Sequence, residues 1–202
     1  MECLAAFYMS CYEKNRLHRK KKQYGYKERD EEERKIFSAE IAAINPDDIV
    51  FADETGIDNN ETYPYGYAPR GERLHGLKLG HRTERISIIG AINKKQFFAP
   101  FIFQGHCDTA IFLIYLNQVL IPSLRPGQHV FIDNASFHKD AQIKKIIEDA
   151  GCFLHFLPAY SPDFNPIEHR WQPIKLKIKK SLPAFDNDLI KTTEALFYSG
   201  QA

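Results

Sequence analysis

Two consecutive β-branched segments, followed by alternating helix and strand patterns, constrain the fold of this chain most strongly. Arg85–Asn93 and Gln96–Phe103 predict two antiparallel strands joined by the tight turn Asn93-Lys94-Lys95. The elements predicted around this pair are a strand at Ile49–Ala52, an irregular strand at Thr62–Gly71, a helix from Asp108 to about Leu124, a strand at His129–Ile132, a helix at Lys139–Ala150, a strand at Cys152–Leu157, and helices at Ile167–Ser181 and Asp188–Phe197. This order predicts an α/β fold in which an antiparallel meander is extended by right-handed crossovers into parallel strands, with helices on both faces of a mixed sheet.

The first 45 residues differ from the rest of the chain. The stretch from Lys14 to Arg29 is strongly basic and contains a single acid, Glu28. It holds almost nothing apolar to bury, so we expect an arm or linker. Glu28–Ile44 then predicts one amphipathic helix that ends at Asn45-Pro46. We therefore divide the chain into a basic linker and helix at 1–45 and a catalytic domain at 46–202.

The overall composition excludes several classes of protein. The sequence contains 27 Lys and Arg against 26 Asp and Glu, for a net charge of +1, which excludes a polybasic coat. The longest apolar run, Ile111–Leu124, is interrupted by two amide side chains and is too short to cross a bilayer. The start of the chain has no signal-peptide pattern, and no cysteine pair has zinc-ligand spacing. We expect a cytoplasmic protein without a membrane segment.

Two acidic residues follow predicted strands. Asp53 comes directly after Ile49–Ala52, and Asp133 comes directly after His129–Ile132. If these strands are neighbours, their carboxylates lie close together and repel each other unless a cation lies between them. A hard divalent ion with oxygen ligands, above all Mg²⁺, suits such a pair. The alternative, that each Asp only caps a turn, stays open at this stage.

Glu168 is the third candidate acid and has two interpretations. Asn165, Pro166 and Glu168 match a capping box at the start of a helix, with Asn165 as the N-cap. The helix also follows one helix, one strand and one loop after Asp133, so it can return to the same end of the sheet. A capping role and a ligand role do not exclude each other.

Four segments of the sequence together resemble a known family. They read FADETG, YGYAPRGER, VFIDNASFH and LPAYSPDFNPIEHRW. Their combination resembles the catalytic domain of DDE-type transposases in the bacterial insertion-sequence branch of the mariner superfamily. The resemblance covers roughly Tyr24 to Ala202. It implies a ribonuclease H-like, mixed five-stranded sheet, with Asp53, Asp133 and Glu168 as catalytic residues and as ligands of Mg²⁺ or Mn²⁺, in a site for two ions.

The resemblance also implies an activity and partners. The activity is metal-dependent DNA strand cleavage and strand transfer, acting on double-stranded DNA at transposon ends and at the target, with a dimer assembled on DNA. Helix-turn-helix modules usually precede this domain, and the leading residues show no second such pattern. We therefore expect an upstream helix-turn-helix polypeptide as a partner, in the bacterial cytoplasm at the nucleoid. A ribonuclease H-like nuclease of another type, or a truncated relic that binds DNA or a partner without cutting, stays an alternative.

The remaining site predictions concern polar and basic residues. Asn134 and His138 are candidates to support Asp133 or to contact the scissile phosphate. Glu54 is left out of the site, because alternation along a strand points it away from Asp53. Basic runs near the acids predict contacts with the DNA backbone. The DNA-binding candidates in these runs are Arg70, Arg73, Arg170, Lys175 and Lys177.

Overall fold

A computed structural model describes residues 27–58, 68–73, 75 and 84–198. Its helices are α1 (Glu31–Ala42), α2 (Thr109–Tyr115), α3 (Ala141–Asp149), α4 (Glu168–Ser181) and α5 (Leu189–Tyr198). Its strands are β1 (Ile49–Asp58), β2 (Arg85–Asn93), β3 (Gln96–Gln104), β4 (His129–Ile132) and β5 (Phe153–Phe156). The predicted strand at Thr62–Gly71 lies mostly outside the described residues, as does the basic arm before Lys27.

The five strands form one mixed sheet with the order β3-β2-β1-β4-β5. β1 pairs antiparallel with β2, and β2 pairs antiparallel with β3. β4 runs parallel to β1 on one side and parallel to β5 on the other. The predicted meander extended by parallel strands is therefore confirmed.

The position predicted for Asp53 at the end of a strand is wrong. β1 continues past Asp53 as far as Asp58, because these residues pair with β2 from Gly90 back to Arg85. The parallel pairing between β1 and β4, in contrast, ends at Phe51 opposite Phe131. Asp53 and Asp133 each follow that last pair by two residues. The two acids are therefore level with each other on neighbouring strands, although only Asp133 follows the end of its strand.

Alternation along the strands produces a hydrophobic core on each face of the sheet. On one face, Val50, Ala52, Val130 and Ile132 pack with residues of α2 and α3. On the other face, Phe51, Ile57 and Phe131 pack with residues of α1, α4 and α5. Helices thus cover both faces, as predicted.

Three aspartates explain where the first three helices begin. Asp30 accepts hydrogen bonds from the backbone N–H groups of Glu32 and Glu33, so α1 starts later than the predicted Glu28. Asp108 caps α2 and Asp140 caps α3 in the same way. α2 changes to π-helical winding at Leu116–Leu120 and ends in a 3₁₀ turn at Ile121–Ser123. Within the described ranges, every helix is too short or too polar to cross a bilayer.

Candidate active site

The three candidate acids meet at one cavity beside the end of β4. Asp53 from β1, Asp133 after β4 and Glu168 at the start of α4 all line this cavity, which has a volume of about 410 Å³. Asn134 lines it as well and is exposed. Residues 157–165, which we call the cavity loop, supply most of the remaining wall. Acids that are far apart in the sequence therefore face one open space.

Asp53 is the carboxylate most affected by this environment. Burial is the main cause that raises the pKa of Asp53 to about 7, and the negative charges of Glu168 and Asp133 raise it further. Hydrogen bonds from Trp171 and from the backbone of Glu54 act in the opposite direction. An acid with this pKa is only partly ionised at neutral pH unless a cation compensates its charge.

Asp133 is held by a histidine. His138 Nδ1 lies 2.5 Å from Asp133 Oδ1, and the backbone N–H of Ala135 donates to the same oxygen. Burial raises the pKa of Asp133, but the hydrogen bond and charge of His138 outweigh it and leave that pKa below its usual range. The His138 ring is 3% exposed and packs between Phe112 and Phe137. His138 therefore contacts a carboxylate from inside the protein rather than from its surface.

Trp171 is a site residue that the sequence analysis missed. Its indole Nε1 donates a hydrogen bond to Asp53 Oδ2 at 3.0 Å, and the side chain is 4% exposed. Trp171 follows Glu168 by three residues on α4, so the two side chains lie on neighbouring positions of one helix face. That spacing indicates that Trp171 shares a helix face with Glu168, but it does not identify Asp53 as the partner of the indole N–H.

The predicted capping box at Glu168 is wrong. The backbone N–H of Glu168 donates to the backbone carbonyl of Asn165, so it is not available to the Asn165 side chain. Asn165 Oδ1 is buried without a hydrogen-bond partner within the described part of the chain, and no side chain caps α4. The carboxylate of Glu168 is exposed and lines the cavity instead.

The donor set suits a hard divalent ion. All three side chains offer carboxylate oxygens, which are the preferred ligands of Mg²⁺. Trp171 engages one oxygen of Asp53, and His138 engages one oxygen of Asp133. Across the described residues, however, no three His, Cys, Asp or Glu side chains already converge on one point. The three carboxylates thus line the cavity as an open set.

The basic candidates lie elsewhere on the surface. Arg70 and Arg73 are exposed within the short described segment 68–73. Arg170 and Lys177 line a separate groove of about 440 Å³ with Phe97 and Phe197, where the Arg170 guanidinium donates to the carbonyl of Lys95. Lys175 is partly exposed on α4. Glu54 lines a third cavity with Cys107, as expected for a side chain on the opposite face from Asp53.

Comparison with protein families identifies the family to which the chain belongs. Residues 48–190, more than half of the chain, match the family described as DDE superfamily endonuclease. The chain belongs to the DDE endonuclease superfamily. The matched range of the DDE domain contains Asp53, Asp133 and Glu168. No curated protein matches the chain in sequence.

Solved structures support the fold of the DDE domain. The Mos1 transposase paired-end complex with left transposon end superposes with a TM-score of 0.64 at 16% identity, covering 95% of this chain and 67% of that chain. The Mos1 strand transfer complex gives 0.61 at 17%, covering 83% and 54%. A pre-cleavage Mos1 transpososome gives 0.62 at 15%, covering 93% and 66%. The chain thus spans about half to two thirds of these Mos1 chains. The likeness confirms the predicted ribonuclease H-like fold.

Proposed function

We propose that this chain is the catalytic domain of a transposase from the bacterial insertion-sequence branch of the mariner superfamily. It would perform metal-dependent DNA strand cleavage and strand transfer. The observation that carries the proposal is the meeting of Asp53, Asp133 and Glu168 at one cavity within a DDE-superfamily domain.

Asp53, Asp133 and Glu168 are the residues that would hold Mg²⁺ or Mn²⁺, with two ions as the proposed complement. When bound, such ions stabilise the attacking and leaving oxygens of an in-line displacement at phosphorus. Mos1 paired-end complexes have been solved with Mg and with Mn, which supports the choice of ion.

The protein's own contribution is to fix the carboxylates. The Trp171 N–H restricts rotation of the Asp53 carboxylate, and His138 with the Ala135 N–H restricts that of Asp133. Groups that orient metal-binding side chains in this way tune the affinity of a site. Asn134 lines the cavity and is exposed, and it is the proposed contact with a phosphate oxygen of the DNA.

The proposed substrate is double-stranded DNA at transposon ends and at the target. Arg70, Arg73, Arg170, Lys175 and Lys177 are the proposed contacts with its phosphates. The Mos1 neighbours are complexes of paired transposon ends and strand transfer, which supports a dimer assembled on DNA. An upstream helix-turn-helix polypeptide is the proposed partner for reading the ends, at the nucleoid of a bacterial cytoplasm.

The test is cleavage of duplex DNA carrying the element's ends by the purified chain with Mg²⁺, with Mn²⁺ or with chelator. We expect nicking only with the metals, and none from Asp53→Asn or Asp133→Asn. Asp149→Asn, which changes an exposed acid on α3, is the matched control and should cleave like wild type. Cleavage by Asp53→Asn at the wild-type rate would refute the proposal, and metal-independent DNA binding without cleavage would favour the non-catalytic relic.

A further inference from the structure

A bidentate ion pair joins α1 to the cavity loop. Arg34 Nη1 donates to Asp163 Oδ1 at 3.1 Å, and Arg34 Nη2 donates to Asp163 Oδ2 at 2.6 Å. The Arg34 guanidinium also lies 4.2 Å from the centre of the Phe164 ring, and the Arg34 side chain is 11% exposed. The hydrogen bond with Asp163 raises the pKa of Arg34 and lowers that of Asp163, so both groups stay ionised. Two parallel hydrogen bonds between charged groups fix orientation as well as distance.

Asp163 lies in the cavity loop, which precedes Glu168 in the chain. Asp163 is the central residue of the 3₁₀ turn Pro162–Phe164. The flanking residues Ser161, Pro162 and Asn165 line the cavity, and backbone hydrogen bonds run from Phe164 to Ser161 and from Asn165 to Pro162. These hydrogen bonds close the turn, and α4 begins four residues after its last residue, Phe164.

Arg34, the other partner of the ion pair, lies on α1, which packs against the strand that precedes Asp133. Phe37 on α1 is buried and meets Phe131 of β4 edge to face at 5.7 Å. Phe131 precedes Asp133 by two residues. Phe37 also touches Phe164 of the cavity loop at 5.1 Å. α1 thus contacts both the strand before Asp133 and the loop before Glu168.

We propose that Arg34 is a positioning residue for the metal site. From α1 it holds the cavity loop in place and thereby sets Glu168 relative to Asp53 and Asp133. The inference deepens the proposed function and rests on it. It assigns Asp163, the central residue of the 3₁₀ turn in that loop, as the loop's attachment point. It also makes the helix before the DDE sheet part of the catalytic apparatus.

The test compares two variants that break the pair from either side, Arg34→Gln and Asp163→Asn, in the full chain. Lys35→Gln is the matched control, because Lys35 is the next residue on α1 and pairs with Glu32 in an exposed contact at 2.6 Å. The first readout is hydrogen exchange of residues 157–165 without metal. The second is a Mn²⁺ titration followed by the fluorescence of Trp171, the single tryptophan of the sequence. The third is the split between kcat and KM for DNA cleavage.

Both pair-breaking variants should speed exchange in the cavity loop and weaken Mn²⁺ binding by about tenfold, the range typical of residues that orient metal ligands. They should lower kcat while leaving KM for DNA unchanged, and Lys35→Gln should match wild type. The double variant Arg34→Asp/Asp163→Arg should recover part of the loop protection. Wild-type loop exchange and Mn²⁺ affinity in either single variant would overturn the inference, even if stability fell. The exchange experiment needs no activity, so it separates this failure from failure of the proposed function, which the Asp53→Asn assay detects.

Discussion

Trp171 donates its indole N–H to Asp53 Oδ2 at 3.0 Å, so the helix that presents Glu168 also holds the carboxylate of the central strand. The contact joins two elements that are far apart in the sequence. It places a rigid, buried donor against the acid that burial makes hardest to ionise.

Replacing Trp171 with Phe should shift the pH dependence of the site. Phe retains much of the ring packing but lacks the N–H that stabilises the ionised form of Asp53, so the pKa of Asp53 should rise above about 7. The rising limb of the pH profile of metal-dependent cleavage should move to higher pH, and Mg²⁺ should bind more weakly at pH 7. A pH profile identical to that of wild type would contradict the proposed role of this hydrogen bond.

Asp53 should make the metal-free protein less stable as the pH rises. Its pKa is near 7 in the folded state and near the ordinary aspartate value when unfolded, so between about pH 4 and 7 the folded state binds one proton more. The free energy of unfolding should therefore fall across this window by a few kcal/mol, at 1.36 kcal/mol per pKa unit. Urea unfolding in chelator at pH 5 and pH 8 measures the difference. Asp53→Asn should remove most of this dependence, while Asp149→Asn should keep it.

His138 should act on metal binding through Asp133. His138→Phe preserves an aromatic ring between Phe112 and Phe137 but removes the hydrogen bond to Asp133 Oδ1. Loss of that contact should raise the pKa of Asp133 and weaken Mn²⁺ binding by roughly 10- to 100-fold. Calorimetric titration with Mn²⁺ measures the affinity. Unchanged affinity in a folded variant would show that the histidine serves packing alone.

The sequence was sufficient for the bounds of two strands and for the pairing of the strands that carry Asp53 and Asp133. β2 and β4 begin and end where their β-branched and apolar patterns do, because strands buried on both faces require continuous apolar residues. Asp53 and Asp133 were expected to be neighbours on the argument that the β1 and β4 patterns pair, and the register confirms it. The extension of β1 to Asp58 was not predictable, because polar residues such as Glu54 and Asp58 are kept in the strand by pairing with β2.

Contacts between distant segments were also beyond the sequence. Nothing local distinguishes Arg34 from Lys35, the other cation of α1, and the pairing of Arg34 with Asp163 depends on how α1 packs through Phe37. The capping box at Asn165 failed for a related reason. The backbone N–H of Glu168, which the Asn165 side chain would have to bind, instead donates to the backbone carbonyl of Asn165 in the tight turn before α4.

DNA binding should depend on exposed cations near residue 70. If Arg73 contacts a phosphate, Arg73→Gln should weaken binding to all sequences alike and reduce the slope of log K against log salt by about 1. Fluorescence anisotropy of a labelled duplex between low and moderate salt gives that slope. Lys145→Gln, an exposed change on α3, is the control and should leave the slope unchanged. Equal slopes for wild type and Arg73→Gln would remove Arg73 from the proposed DNA path.

Substitutions at Glu168 and Asn165 distinguish a role of Glu168 as a metal ligand from a role in capping the start of α4. Glu168→Gln keeps the size of the side chain but gives a neutral amide, which is a much poorer ligand for a hard cation than a carboxylate. It should abolish metal-dependent cleavage and reduce the rise in Tm that Mg²⁺ or Mn²⁺ causes in wild type, since an ion bound only to the native state raises its stability. Without metal its Tm should stay close to that of wild type, because no cap is lost.

Asn165→Ala is the matched variant on the same turn. If Asn165 were an N-cap, its loss would cost about 1 kcal/mol of stability. Because its Oδ1 is buried and unpartnered in the described part of the chain, removing that oxygen also removes a desolvation penalty, so the free energy of unfolding should not fall by that amount. Thermal and urea unfolding of both variants in chelator test this. Wild-type cleavage by Glu168→Gln, together with a full cap loss in Asn165→Ala, would reduce Glu168 to a helix-start residue and leave the site with two acids.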